Sequence, residues 1–169
     1  MTMKKVILFS TLMLISDIQL LQAQDGVLSP TKILKLVPDQ IKGFQQLDDP
    51  KAMKMKVGTI TYTLCEKHFN DGKRSIKILL FDFNEAAIMY KQATQKWSNQ
   101  PFIESDTIVE RSMMIKNCTG WESFYKQYKT SQLFLGICDR FFLTVSGENV
   151  ELDELKKILD QFPLDEFPN

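Results

Sequence analysis

Period-two alternation constrains this chain more than any other feature. From Met53 to Glu66, the apolar Val57, Ile60, Tyr62 and Leu64 are interleaved with Thr59, Thr61 and Thr63. β-Branched and aromatic residues in that rhythm predict a half-buried strand, because successive strand side chains point to opposite faces. Asn70-Asp71-Gly72 comes next, and Asp-Gly tolerates the positive φ that a tight hairpin demands. Ser75 to Phe83 reads as the partner strand. It is apolar on both faces at its far end, so it is expected near the sheet centre.

The spacing then turns helical. Ala86, Met89, Tyr90, Ala93 and Trp97 recur on one side, with Lys91, Gln92, Gln95 and Lys96 facing outward. Asn84 is the expected cap, and Ser98 to Pro101 the expected stop. Four more strands are predicted, over Thr107–Ile115, Trp121–Tyr128, Gln132–Cys138 and Phe141–Ser146, with a turn at Asn117–Gly120. A final helix, Glu151 to Phe162, carries Leu152, Leu155, Ile158, Leu159 and Phe162 on one stripe. An opening helix starts at Ser29-Pro30 and ends by Pro38. Ile41 and Phe44 read as apolar plugs, and both Gln24–Leu28 and Leu164–Asn169 as loose ends. Strands in succession with short turns predict an α+β fold, a single antiparallel sheet of about six strands with helices packed on it.

Residues 1–23 read as a signal peptide and 24–169 as one domain. Lys4 and Lys5 precede an apolar run, Val6 to Ile15, and Ala23 is the small residue before the expected cut. That run is shorter than the ~18 residues a membrane helix needs. Later apolar runs are shorter still, so no membrane span is expected after cleavage. Losing Lys4, Lys5 and Asp17 leaves a net charge of about −1. That balance argues against nucleic acid, whose binding rests on basic surface. The expected location is periplasmic or secreted.

Reactive side chains are few. His68 is the sole histidine, beside the Asn70-Asp71-Gly72 turn, where a solvated surface role is expected. Cys65 could approach it only past the strand end. Cys65, Cys118 and Cys138 lack CxxC spacing and read as small buried apolar side chains, although one pair could bridge in an oxidising compartment. Asp82 follows the apolar run Ile78–Phe81 and is expected to bond backbone amides near Asn84, with an acid–base role as the alternative. No phosphate loop, cofactor motif or metal-ligand spacing occurs in the sequence, so no cofactor and no catalytic or metal residue is assigned. A hydrolytic enzyme would need Asp82 or His68 in an unexpected setting.

The aromatics are more suggestive. Trp121 and Tyr125 fall on one face of their strand, where core packing and sheet-stabilising cross-strand pairs are expected. A surface for an envelope protein partner is the alternative, since Tyr and Trp are enriched at interfaces. Tyr62, Phe81, Met89 and Trp97 would line a pocket between helices and sheet, suited to a small apolar molecule or lipid. An exported binding or interaction module is therefore expected, with a carrier as the alternative.

The segments Gly120–Tyr125, Leu133–Ile137, Asp139–Gly147 and Val150–Leu155 resemble the tail of a group of uncharacterised exported bacterial proteins. Val37-Pro38 and Ile41-Lys42-Gly43-Phe44 resemble the entry to the same domain. The element order is similar to the PsbP-like α/β sandwich. The resemblance implies a fold and no activity, and Cys118 and Cys138 depart from it.

Overall fold

A computed structural model describes residues 26–97 and 102–169. The expected signal peptide and the expected helix stop at 98–101 lie outside the described residues. Among the described residues, no helix is long and apolar enough to cross a membrane.

In chain order the elements are α1 (Pro30–Leu34), β1 (Gln45–Gln46), β2 (Lys51–Val57), β3 (Ile60–Asn70), β4 (Ser75–Glu85), α2 (Ala87–Thr94), β5 (Ile103–Glu104), β6 (Ile108–Ile115), β7 (Cys118–Tyr125), β8 (Thr130–Ile137), β9 (Phe141–Glu148) and α3 (Leu152–Leu159). A single 3₁₀ turn, Leu164–Glu166, follows α3. The strands form one sheet in the order β1-β3-β4-β9-β8-β7-β6-β5, with β2 beside β1 on the same edge of β3. All its pairings are antiparallel. The fold is thus α+β with an antiparallel sheet, and β4 is central, between β3 and β9.

Among the described residues, nine strands stand where about six are expected, for identifiable reasons. Met53–Glu66 is not one strand. Gly58 adopts φ +62°, and the chain reverses between the paired residues Val57 and Ile60. A two-residue loop with glycine first is a favoured hairpin geometry. The strands β1 and β5 are two residues each, too short to show any rhythm. A second shift concerns the β6–β7 turn. Lys116 (φ +45°) and Asn117 (φ +64°) make it, so Cys118 opens the next strand instead of sitting in the turn. That strand ends at Tyr125, and Tyr128 lies exposed beyond it. Asn84 does not cap α2 but belongs to β4; Ala86 precedes the helix.

The two sheet faces differ. One carries Cys65, Phe69, Ile76, Ile78, Leu80, Leu133, Leu135, Phe141, Leu143 and Val145, closed over by Ile33, Val37, Ile41, Leu155, Ile158, Leu159 and Phe162. Burying each large aliphatic of α3 contributes about 1.5–3 kcal/mol. The tail does not fray: Leu164 and Phe167 are buried, and the Phe167 ring meets Phe141 edge-on at 5.1 Å. The other face carries α2 and a smaller cluster centred on Phe83, Ala86 and Tyr90.

Candidate functional site

The second face is built by register. Phe81 pairs with Leu64 on one side and Phe142 on the other, and Phe134 pairs with Trp121. A row of rings results. Tyr62 lies 6.4 Å from Phe81 and 5.8 Å from Phe83 between centroids. Phe81 lies 5.3 Å from Phe83 and 6.1 Å from Phe142. Phe142 stacks with Trp97 at 5.9 Å and with Phe134 at 6.2 Å. Offset and tilted contacts at such distances are favourable beyond the area they bury. Tyr62, Phe81, Phe134 and Phe142 remain partly open, whereas Phe83, Trp97 and Trp121 are buried.

Across the Gly58 turn, β2 extends the apolar face. Met53, Met55 and Val57 pair with Leu64, Tyr62 and Ile60, so they share its orientation. Val57 is 62% exposed and Met53 44%. Sequence reading missed these three because it took both strands as one. The Val57-Gly58-Thr59-Ile60 step was the available signal.

Of the six residues expected at a binding surface, Tyr62, Phe81 and Met89 come together beside the Phe83–Tyr90 cluster. Trp97 joins through Phe142. Trp121 lies on the same face in β7, and Tyr125 sits four residues along, opposite Thr130, outside the ring contacts.

A pocket of about 400 Å³ opens at one end of α2, lined by Tyr90, Trp97, Asn117, Cys118, Cys138 and Asp139, among others. Trp97 is the only one of its expected lining residues that reaches this pocket. Gly136 forms part of its floor because α2 sits hard on it: a Cβ there would lie 2.5 Å from the Tyr90 hydroxyl. Burial pushes the Tyr90 phenol up to about 12, so it remains a neutral donor at ordinary pH.

The charged side chains within the fold are tied up. Asp82 is fully buried and takes a two-pronged contact from Arg140, Nε to Oδ1 and Nη2 to Oδ2, both 2.8 Å. The Leu28 amide donates to Oδ2 at 2.6 Å and the Asn84 amide to Oδ1 at 3.1 Å. The amide role expected of Asp82 is therefore present, with a guanidinium that sequence reading did not assign. These contacts also anchor residues 26–28, which are not loose. Leu28 is buried, and its carbonyl accepts from the Thr63 hydroxyl at 2.6 Å. Lys67, also buried, donates to the Val37 carbonyl at 2.8 Å and to Asp39 Oδ1 at 2.7 Å. Buried Glu122 bonds Arg111, and Lys156 Nζ lies 2.7 Å from its Oε2 without hydrogen-bond alignment.

His68 and Cys65 do not meet, since they stand three positions apart along β3, which puts them on opposite faces. His68 Nε2 lies 2.7 Å from Glu66 Oε1 and Nδ1 3.3 Å from Asp48. Burial raises the Cys65 thiol to about 11, leaving almost no thiolate at neutral pH. The expectation of three buried cysteines holds for Cys65 alone; Cys118 is intermediate and Cys138 exposed, and all three are free. Among the described residues, no three His, Cys, Asp or Glu side chains converge as metal ligands. No protein-family model, curated protein or solved structure matches the chain.

Proposed function

We propose that this protein is an exported, non-catalytic binding module of the cell envelope, periplasmic or secreted. Its half-open aromatic face would receive an apolar surface of another envelope protein. The observation that carries the reading is the ring row from Tyr62 through Phe81 to Phe142, continued outward by exposed Met53 and Val57. Contiguous exposed apolar area is uncommon on monomers and marks interaction sites. Aromatic residues and Met are the side chains enriched in interfaces. The reading keeps the chain with the exported proteins it resembles, and the PsbP-like sandwich as its architecture, helices on both sides of the sheet.

A carrier is the second reading, favoured by the pocket beside α2. About 400 Å³ falls in the range of small-ligand sites. Its Thr94, Gln95, Asn117, Thr119 and Asp139 suit a small polar molecule better than a lipid.

Titration with an anilinonaphthalene sulfonate probe tests the face. The native chain is expected to bind it saturably, and Phe81→Ser and Tyr62→Ser to weaken binding at least fivefold. Equal affinity in all three proteins would remove the reading. For export, the N-terminal mass of the protein recovered outside the cytoplasm should begin near Gln24; an intact Met1 would contradict it.

A further inference from the structure

We propose that Cys118 and Cys138 are a modification site, an oxidisable thiol pair that closes into a disulfide stapling the β6–β7 turn to the β8–β9 turn. The inference is independent of the aromatic face.

Cys118 is the first residue of β7, and Cys138 is the first residue after β8. Those strands are neighbours, paired from Tyr125↔Thr130 to Gly120↔Leu135. Continuing the register two residues sets Cys118 opposite Ile137, one residue from Cys138. Facing residues in adjacent antiparallel strands lie about 4.5–5.5 Å apart between Cα atoms. Cys138, one residue beyond the facing position at φ +52°, has left the strand alternation, so the pair falls near the Cα separation of about 4.4–6.8 Å that a disulfide spans. Both residues border the same pocket at the sheet end. Both also lean toward the side of the sheet that holds the C-terminal tail. Cys118 packs against the main core, and Cys138 Sγ lies 3.9 Å from the Phe167 carbonyl. The other contact, Cys118 Sγ to the Lys116 carbonyl, is 3.7 Å. Such contacts are weak and readily given up. The third cysteine is buried in the core at 0% exposure and cannot compete.

Both thiols are raised, chiefly by burial, and Cys138 itself contributes to the rise at Cys118. Thiols of that kind suit a structural staple better than a catalytic nucleophile. The oxidant is a small disulfide such as oxidised glutathione. The more exposed Cys138, as thiolate, attacks one of its sulfurs; a mixed disulfide forms and one glutathione thiolate leaves. Cys118, once deprotonated, attacks Cys138 Sγ, forming the internal bond and releasing the second glutathione thiolate. The two cysteine protons end on the two glutathiones, and two electrons pass from the protein to the oxidant.

The test uses the unsubstituted chain, dilute, with oxidised glutathione, followed by alkylation and peptide mapping. The expected product is a peptide pair joined through Cys118 and Cys138, with the loss of two hydrogen atoms in mass and Cys65 alkylated only after unfolding. In Cys138→Ser, Cys118 should stay a free thiol. The bonded form is expected to melt about 5 °C above the reduced one. Thiols that remain alkylatable in excess oxidant would overturn the assignment. So would a reaction that stops at glutathione on Cys138, or a bonded form that melts lower.

Discussion

Beneath α1 and α3, the sheet buries Ile78, Leu80, Leu143 and Val145 to 1% exposure or less. On the α2 side, the neighbouring residues Phe81 and Phe142, on the same two strands, stay partly open. The strands are shared, so strand propensity does not make the difference. Cover does. α3 lays an apolar stripe of Leu155, Ile158 and Leu159 across the first face, whereas α2, eight residues like α3, buries only Tyr90 and leaves Ile88 60% exposed. One face is closed, the other stays half open, and alternation along a single strand supplies both.

That contrast can be broken first at the ion pair. Asp82→Ala leaves Arg140 buried without its partner and should cost about 3–5 kcal/mol, read as a lower urea midpoint. Leu155→Ala removes a fully buried side chain of the closed face and should cost about 2–4 kcal/mol in the same measurement. Gly136→Val should lift α2 from the sheet at a cost of about 1–3 kcal/mol, since even a Cβ meets Tyr90 and Trp97. Altered tryptophan fluorescence, which comes from Trp97 and Trp121 on that face, with unchanged far-UV dichroism would locate the damage to that side. Phe81→Ser on the open face should cost only about 1–2 kcal/mol, because part of the ring is already in water. A cost equal to that of Leu155→Ala would mean that the two faces are equally closed.

The smallest effect is a pH dependence at the β3–β4 turn. The amide of Lys73, then the side chain and amide of Arg74, hold the Asp71 carboxyl down to about 2 from an ordinary 3.8. A depressed folded value means stability that is present above pH 3.8 and lost as pH falls toward 2. Asp71→Asn should flatten that part of the acid limb of a urea-midpoint profile; an unchanged limb would show that the turn contributes nothing there.

Strand rhythm made most of the architecture legible. The Asp-Gly hairpin, the central β4 and the stripe of α3 all follow from local pattern, because each depends on neighbours in sequence. What was hidden depends on partners far away. Phe142 joins Phe81 only because β9 inserts beside β4, a pairing no local signal encodes. Arg140 meets Asp82 across 58 residues for the same reason. The Gly58 turn was readable but was masked by apolar residues continuing on both sides of it. Loose ends were expected from polar composition alone, yet Leu28 and Phe167 find places in the core. The aromatic candidates were found residue by residue, and only the register shows which of them touch.

Arg140 has one more consequence. Besides Asp82, its guanidinium donates to the Gly26 carbonyl at 3.3 Å and to the Asn169 carbonyl at 3.2 Å. Residues 143 positions apart in the chain are thereby clasped by one side chain. The side chain is in effect a latch on two distant segments, so whatever loosens one of them loosens the hold on the other.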